Sequence, residues 1–421
     1  MVTGMTGDAT GSPGEAPGTV AGGPTLPEGR ESTEGVERTE IVLVADTVLT
    51  PDTVLAPGWV HVAGDRVRAT GTGTPASHLP RRTLTGHTIL PGLVDVHCHG
   101  GGGSSYTDGD SDGAAAAAGV HRAHGTTSTV ASLVTAPLDE LERAVRALAE
   151  LVDDGLLAGI HLEGPWLSAS HCGAHDPALL RPPRADEVER LLAAGRGTIT
   201  MVTLAPELAG GLDAIRRVTG HGAVAAVGHT DADYDTTRAA IDAGATVGTH
   251  LFNGMPGMHH REPGPAAALL EDERCRVELI ADGHHVHGAM LRQAMRLAGQ
   301  ERYLLISDAI AATAAGDGRY RVGGLEVIVR DGQARVPGTG SLAGSTVTLH
   351  EALRRVTRAT ATPLAETASA ATRTPAAVLG RTDIGTLAPG CLADLLVLDS
   401  SLDIAAVMHR GRWVPAAWGR T

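Results

Sequence analysis

From about residue 89 the chain alternates between two textures. Apolar runs of strand length recur as "TILPGLVDVHCH", "TSTVASLVT", "LLAGIHLEG", "TITMVTLAPE", "AVAAVGHT", "ATVGTHLFN", "RVELIADG" and "YLLISDA". Between most of them the apolar residues fall at helical spacing, as in "LDELERAVRALAELVDD", "ADEVERLLAAG", "YDTTRAAIDAGA" and "HGAMLRQAMRLAG". Eight such runs alternating with helices over roughly 220 residues predict an α/β fold, a (β/α)8 barrel. A doubly wound sheet would alternate likewise, but no glycine fingerprint opens a first helix.

The flanks read differently. Short alternating strands and turns fill residues 39–88 and return in 383–421, which predicts one small β-sandwich domain built from both chain ends around a barrel at 89–382. Within the barrel segment, residues 309–344 break the alternation, and "VGGLEVIVRDGQARVP" predicts a hairpin turned at Asp331-Gly332. A last helix, "TLHEALRRVTRAT", follows. Residues 1–38 are rich in Gly, Pro, Thr and Glu and predict a disordered tail.

Composition narrows the picture. Apolar residues make up 42% of the 421, but with one Phe and four Trp the core has to be aliphatic. A net charge of −14 argues against nucleic acid and anionic membrane surfaces as partners. Cys98, Cys172, Cys275 and Cys391 form no CxxC, so neither a disulfide framework nor a thiolate zinc cluster is indicated. The first twenty residues lack the basic and apolar regions of a signal peptide, and no apolar run reaches membrane-spanning length. A soluble, cytoplasmic protein is expected. The chain has no lysine: all 34 basic residues are arginine, which removes Schiff-base chemistry and the phosphate-loop lysine. Any group bridging two metal ions must then be a carboxylate rather than a modified lysine.

Barrel enzymes hold their chemistry at the C-terminal ends of the strands. Here the first strand ends with His97 and His99, the third with Glu163, the fifth with His229, the sixth with His250 and the eighth with Asp308. Side chains alternate along a strand, so His97 and His99 share a face and Cys98 points away. Two histidines alone could be a satisfied polar pair. Six such residues at corresponding positions make a divalent metal site the better reading. Imidazole predominates over oxygen, which suits zinc or iron better than calcium or magnesium. An open position would activate water, and Asp308 is the natural carboxylate to carry its proton. His161 reads as barrel filling beside Glu163. His121, His124 and His221 read as surface residues, and of His284, His285 and His287 one is expected to face the pocket.

With these residues placed, the sequence resembles the amidohydrolase superfamily and, within it, the group that deacetylates N-acetylglucosamine 6-phosphate. The resemblance spans about residues 40–415. It rests on "PGLVDVHCHGGGG", "HGTTSTVASLVT", "HLEGPWLSASHCGAH", "VGHTDADYD", "THLFNGMPGMHHREPG", "IADGHHVH", "LISDA" and "GSLAGS". It implies Glu163, His229 and His250 as ligands of a common metal, and His97 and His99 as the pair that adds a second in some members. One or two ions per subunit follow, zinc first, with iron, cobalt or manganese as alternatives, and Asp308 at the metal as acid/base. It further implies Ala174, His175, Asn253, Gly254, Arg261, His285, Leu342, Ala343 and Gly344 against a phosphosugar substrate. His175 would polarise the acetyl carbonyl, and Arg261 would be lent across a homodimer interface. "GDGRYRVGGLEVIV" and the N-terminal tail lie outside the motif set. The alternatives are an amidohydrolase acting on another N-acetyl sugar or an N-acyl amino acid, and a non-catalytic metal-binding scaffold. A mere binder has no need of Asp308, which counts against the scaffold.

Overall fold

Eight parallel strands pair in sequence order: Leu93–Cys98, Thr126–Val134, Gly159–Glu163, Ile199–Leu204, Val224–Val227, Val247–Gly248, Arg276–Ile280 and Tyr303–Ile306. The last closes onto the first: the Asp308 N–H donates to the His97 carbonyl at 2.9 Å and the His99 N–H to Ala309 at 2.7 Å. The result is the (β/α)8 barrel expected of strands apolar on both faces. This computed structural model describes residues 40–50, 53–75 and 78–415. The expected tail, 1–38, lies outside them.

Helices follow the strands. Leu138–Asp153 buries Leu141, Ala144, Val145, Leu148 and Ala149, the stripe its spacing predicts. Leu349–Thr360 is opened by Thr348, whose hydroxyl accepts the Glu351 N–H and so satisfies an orphan donor of the first turn. Among the described helices, Ser111–Ala123 and Gly264–Glu271 carry weak patterns. Gly264–Glu271 buries six of its eight residues and so has little polar face to reveal its period. Ser111–Ala123 corrects one expectation. His121 completes a stripe with Ala114, Ala117 and Ala118 and is fully buried, its Nε2 2.8 Å from the Gly100 carbonyl.

Strands from both chain ends meet in one eight-stranded sheet. Its main path runs Arg412–Trp413, Ile404–His409, Leu395–Leu398, Arg81–Pro91, Glu40–Leu49, Gly58–Ala63 and Arg66–Thr72. Among the described residues, only the pairing of Glu40–Leu49 with Arg81–Pro91 is parallel in this sheet. Leu43, Val60, Val62, Ile89, Leu395 and Val397 form its aliphatic core. Because Arg81–Pro91 leads into the first barrel strand, this sheet anchors the strand that carries His97.

After the eighth barrel strand the chain makes an antiparallel meander of Gly318–Val322, Leu325–Arg330 and Gln333–Arg335. Asp331 and Gly332 form its second turn with φ of +52° and +72°, the left-handed pair that a two-residue hairpin requires. Val322, Val327, Val329 and Ala334 pack with Val134, Ile310 and Ala343, which seats the meander over the C-terminal mouth of the barrel.

Candidate metal centre and substrate cavity

The strand-end residues converge. Glu163 closes the third strand; His229, His250 and Asp308 each stand two residues beyond an apolar strand. The last three adopt positive φ, at +46°, +27° and +49°, a conformation that side chains other than glycine rarely take. Such backbone costs of order 1–3 kcal/mol per residue and persists where surrounding structure dictates it. Around His229 the dictation is visible. Gly173 and Gly254 press on its ring so closely that a Cβ on either would lie 2.9 Å from a ring atom.

Glu163 is the hub. Its Oε1 lies 3.0 Å from His250 Nε2 and 3.2 Å from His229 Nε2, and its Oε2 lies 3.2 Å from His99 Nε2. His97 Nε2 stands 3.5 Å from Glu163 Oε1 and 3.5 Å from Asp308 Oδ1, while His99 Nε2 is 3.1 Å from that Asp308 oxygen. Two pairs of imidazole nitrogens face each other at 3.1 Å: His97 Nε2 with His99 Nε2, and His229 Nε2 with His250 Nε2.

The far sides of these rings explain the convergence. His99 Nδ1 donates to the Ser132 carbonyl at 3.2 Å and His229 Nδ1 to the His171 carbonyl at 2.7 Å. His97 Nδ1 donates to Glu278 Oε2 at 3.0 Å. With Nδ1 protonated in each, the neutral rings direct Nε2 lone pairs at one another, an arrangement that needs a positive charge between them. The donor set therefore fits a divalent cation. Of three groups among the described residues whose ligand atoms all lie within 4.8 Å of one another, two belong to this cluster: His97, His99 and Asp308, and Glu163, His175 and His229.

The carboxylates of the cluster act on the same rings. Burial opposes protonation of His97, but Glu163, Glu278 and Asp308 outweigh it and hold the imidazole well above its ordinary value. The same competition pushes His99 up to about 9. Burial would raise Glu163 and Asp308, yet the surrounding histidines hold both carboxyls down, so both are ionised. His175 goes the other way: burial, helped by neighbouring His229, lowers it to about 4. Its Nδ1 accepts the Thr135 N–H at 3.3 Å, so the neutral ring keeps its proton on Nε2, the nitrogen that faces Glu163 at 3.5 Å.

A cavity of about 360 Å³ opens above the cluster. Of the residues expected at a substrate, Ala174, His175, Asn253, Gly254, His285, Leu342 and Gly344 line it, with His99, Glu163, His229, His250 and Asp308. Ala343 does not line it; its side chain is buried under the meander. Arg261 does not line it either. It stands exposed on the loop after the sixth strand, with Nη1 2.7 Å from His260 Nε2. Among the described residues that line the cavity there is no arginine. His285 is oriented by Asp282, whose Oδ2 accepts its Nδ1–H at 2.7 Å.

Several residues of the site escape a reading of strand ends. Glu278 sits inside the seventh strand, fully buried, against His97. Thr135 and Ser132 anchor His175 and His99. His161, below the cluster, bonds Ser132 Oγ and Thr203 Oγ1 and packs edge-on against His97 at 4.6 Å. Val322 brings the meander into the cavity wall. The one signal for Glu278 is a carboxylate in an otherwise apolar run.

Comparison with known proteins agrees with this architecture. The amidohydrolase family matches residues 88–414. An N-acetylgalactosamine-6-phosphate deacetylase from Escherichia coli O157:H7 is 38% identical over 330 residues, 77% of this chain and 87% of that protein. An N-acetylglucosamine-6-phosphate deacetylase from Vibrio furnissii is 37% identical over 331 residues, 77% and 82%. The crystal structure of N-acetyl-D-glucosamine-6-phosphate deacetylase from Mycobacterium smegmatis is 51% identical, covers 89% of this chain and 100% of its own, and superposes with a TM-score of 0.87.

Proposed function

The chain belongs to the amidohydrolase family, and from that premise we propose that it hydrolyses the acetamide of N-acetylglucosamine 6-phosphate to acetate and glucosamine 6-phosphate, a step of amino-sugar catabolism. The observation that carries the reading is the convergence of ionised Asp308 and the proton-bearing face of neutral His175 on the same cavity floor, beside a donor set suited to a metal.

Glu163, His229 and His250 would hold one cation, and His97 and His99, with Glu163 between, a second. Such an ion polarises an acyl oxygen and makes water acidic enough to ionise near neutrality. The chain's own groups supply the rest. His175 Nε2–H donates to the acetyl oxygen as negative charge grows there, and its proton is available because Thr135 fixes the tautomer. Asp308 accepts the proton of the attacking water and returns it to the leaving nitrogen. Asp308 holds a fixed position for both transfers because its backbone is tied to His97. Asn253 donates its side-chain N–H to the His250 carbonyl at 3.0 Å, which leaves its oxygen for a sugar hydroxyl. His285, held by Asp282, presents its other nitrogen to the sugar or phosphate.

A phosphate dianion needs a cationic partner that the described cavity wall lacks. Arg261 on its exposed loop is the partner we assign, reaching the site of a second subunit in a homodimer. No helix among the described residues is long and apolar enough to cross a membrane. The reading carries a cytoplasmic location with it, because a sugar phosphate does not cross a bilayer unaided. Zinc is the ion we assign, on the imidazole-rich donor set.

The 38% identity with an N-acetylgalactosamine-6-phosphate deacetylase favours a second reading, in which the C4 epimer is the substrate. Acetate release separates the two. Purified protein loaded with zinc is assayed on both N-acetylhexosamine 6-phosphates and on the unphosphorylated sugars. The glucosamine derivative should give the highest kcat/KM; a higher value for the galactosamine derivative establishes the second reading, and no acetate from any of them overturns both.

A further inference from the structure

One buried carboxylate has no part in the chemistry just described. Glu278 lies in the middle of the seventh strand, Arg276–Ile280, between Val277 and Leu279, and is fully buried. Its Oε2 accepts two hydrogen bonds, one from the first strand and one from the segment just beyond the sixth. The His97 Nδ1–H donates at 3.0 Å and the His250 backbone N–H at 3.1 Å. Its Oε1 has no hydrogen-bond partner among the described residues. A carboxylate left half-satisfied in the core is costly, so what it fixes has to matter.

We propose that Glu278 is the positioning residue of the centre: it locks His97 in the tautomer that directs Nε2 inward and raises the basicity of that nitrogen toward a metal ion. The amide of His250 sets where Oε2 sits. The segment just beyond the sixth strand thus holds the group that orients His97. The first and sixth strands, which do not touch in the sheet order, are thereby tied through one oxygen atom. Among the described residues His97 has no other hydrogen-bond partner at Nδ1: its ring packs edge-on against His161 at 4.6 Å and tilted against His250 at 5.6 Å, contacts that leave rotation about χ2 undecided. Carboxylates behind ligating histidines commonly act this way, and their loss costs about 10- to 100-fold in metal affinity.

The inference rests on the metal reading of the site, and the test separates the two. Full-length protein is stripped of metal, and its zinc affinity is measured by competition with a chromophoric chelator, with elemental analysis of the reloaded protein. Glu278→Gln keeps the shape and an acceptor oxygen but removes the charge. The Gln variant should keep its circular dichroism and bind zinc about 10- to 100-fold more weakly at one site. Glu278→Ala should lose at least as much, and carries the test if the Gln variant does not fold. In a His97→Ala background, where the histidine it orients is gone, Glu278→Gln should change the affinity for the remaining zinc by less than twofold. A folded Gln variant with wild-type affinity overturns the proposal, as does an equal loss with and without His97. Wild-type protein that takes up no zinc overturns the metal reading itself.

Discussion

Asp308 and His99 meet side chain to side chain where the main chains of the eighth and first strands join. The Asp308 Oδ1 lies 3.1 Å from His99 Nε2, and Ala309, the residue after Asp308, accepts the His99 N–H at 2.7 Å. The eighth strand is thus locked to the first at the point where a proton has to be handled, and Asp308 is ionised there. Asp308→Asn tests the role cleanly, because asparagine tolerates the +49° backbone and keeps the shape. It cannot accept the proton. General acid/base catalysis contributes roughly 10²–10⁴-fold, so kcat should fall by at least that range while the folded-state spectrum is unchanged. Turnover within a few-fold of wild type would leave Asp308 a loop-fixing residue.

Metal content follows from the paired imidazoles. His97 and His99 face each other at 3.1 Å, as do His229 and His250, and all four approach Glu163. Changing His97 and His99 together to Ala should lower bound zinc by one equivalent and leave the second in place, measured by elemental analysis after reloading. A wild type that holds a single ion when saturated is the result that sinks the two-ion arrangement.

Acid should weaken the cavity wall through Asp282. Burial would raise this carboxyl, but His285 and the amides of His284 and His285 hold it at about 2, against 3.8 for a free aspartate. A carboxyl depressed in the folded state contributes stability above its unfolded pKa and loses it as pH falls through the folded one. The contribution is on the order of 2 kcal/mol at pH 5 and fades between about pH 4 and pH 2. Urea unfolding of wild type and Asp282→Asn at pH 5 and at pH 3 should show the gap between them shrinking. A gap of equal size at both values would show that the carboxyl is not depressed.

Where function and pattern coincide, the sequence is readable. His97, Glu163, His229, His250 and Asp308 each terminate an apolar run, so a polar side chain at a strand end announced itself, and the barrel's period carried the rest. Asp331-Gly332 likewise announced its turn. Glu278 lay inside an apolar run, where nothing in the local pattern tells a metal-orienting carboxylate from a strand residue on an exposed face. His121 had the spacing of a buried stripe, but its partners Ala114, Ala117 and Ala118 are small and gave the helix little contrast. The contact of Val322 with the cavity depends on how the meander folds back over the barrel, a long-range packing decision with no local signature.

Arg261 carries the sharpest expectation about the substrate. It lies eleven residues beyond His250 in a chain of net charge −14, exposed, while the described residues of the cavity wall include no arginine to meet a phosphate. An exposed arginine is by itself an ordinary solvated charge worth little. On the proposed reading, the need of a dianion in an acidic protein would give this one a task, and its absence from the described cavity lining of its own chain would give that task to a neighbouring subunit. A charge-assisted hydrogen bond is worth roughly 1.5–3 kcal/mol, about 10- to 150-fold in binding. Arg261→Ala should raise KM for N-acetylglucosamine 6-phosphate by a factor in that range and barely alter activity on N-acetylglucosamine, where the contact is never made. Mixing Arg261→Ala with Asp308→Asn subunits then tests the geometry. In mixed dimers, some sites combine an intact Asp308 with an intact Arg261 from the partner and should recover the low KM. Confirmed subunit exchange without recovery would mean that the arginine serves its own chain. Equal loss on both sugars would make it structural, and phosphate recognition would then pass to His285, the described residue of the wall that Asp282 already holds in place.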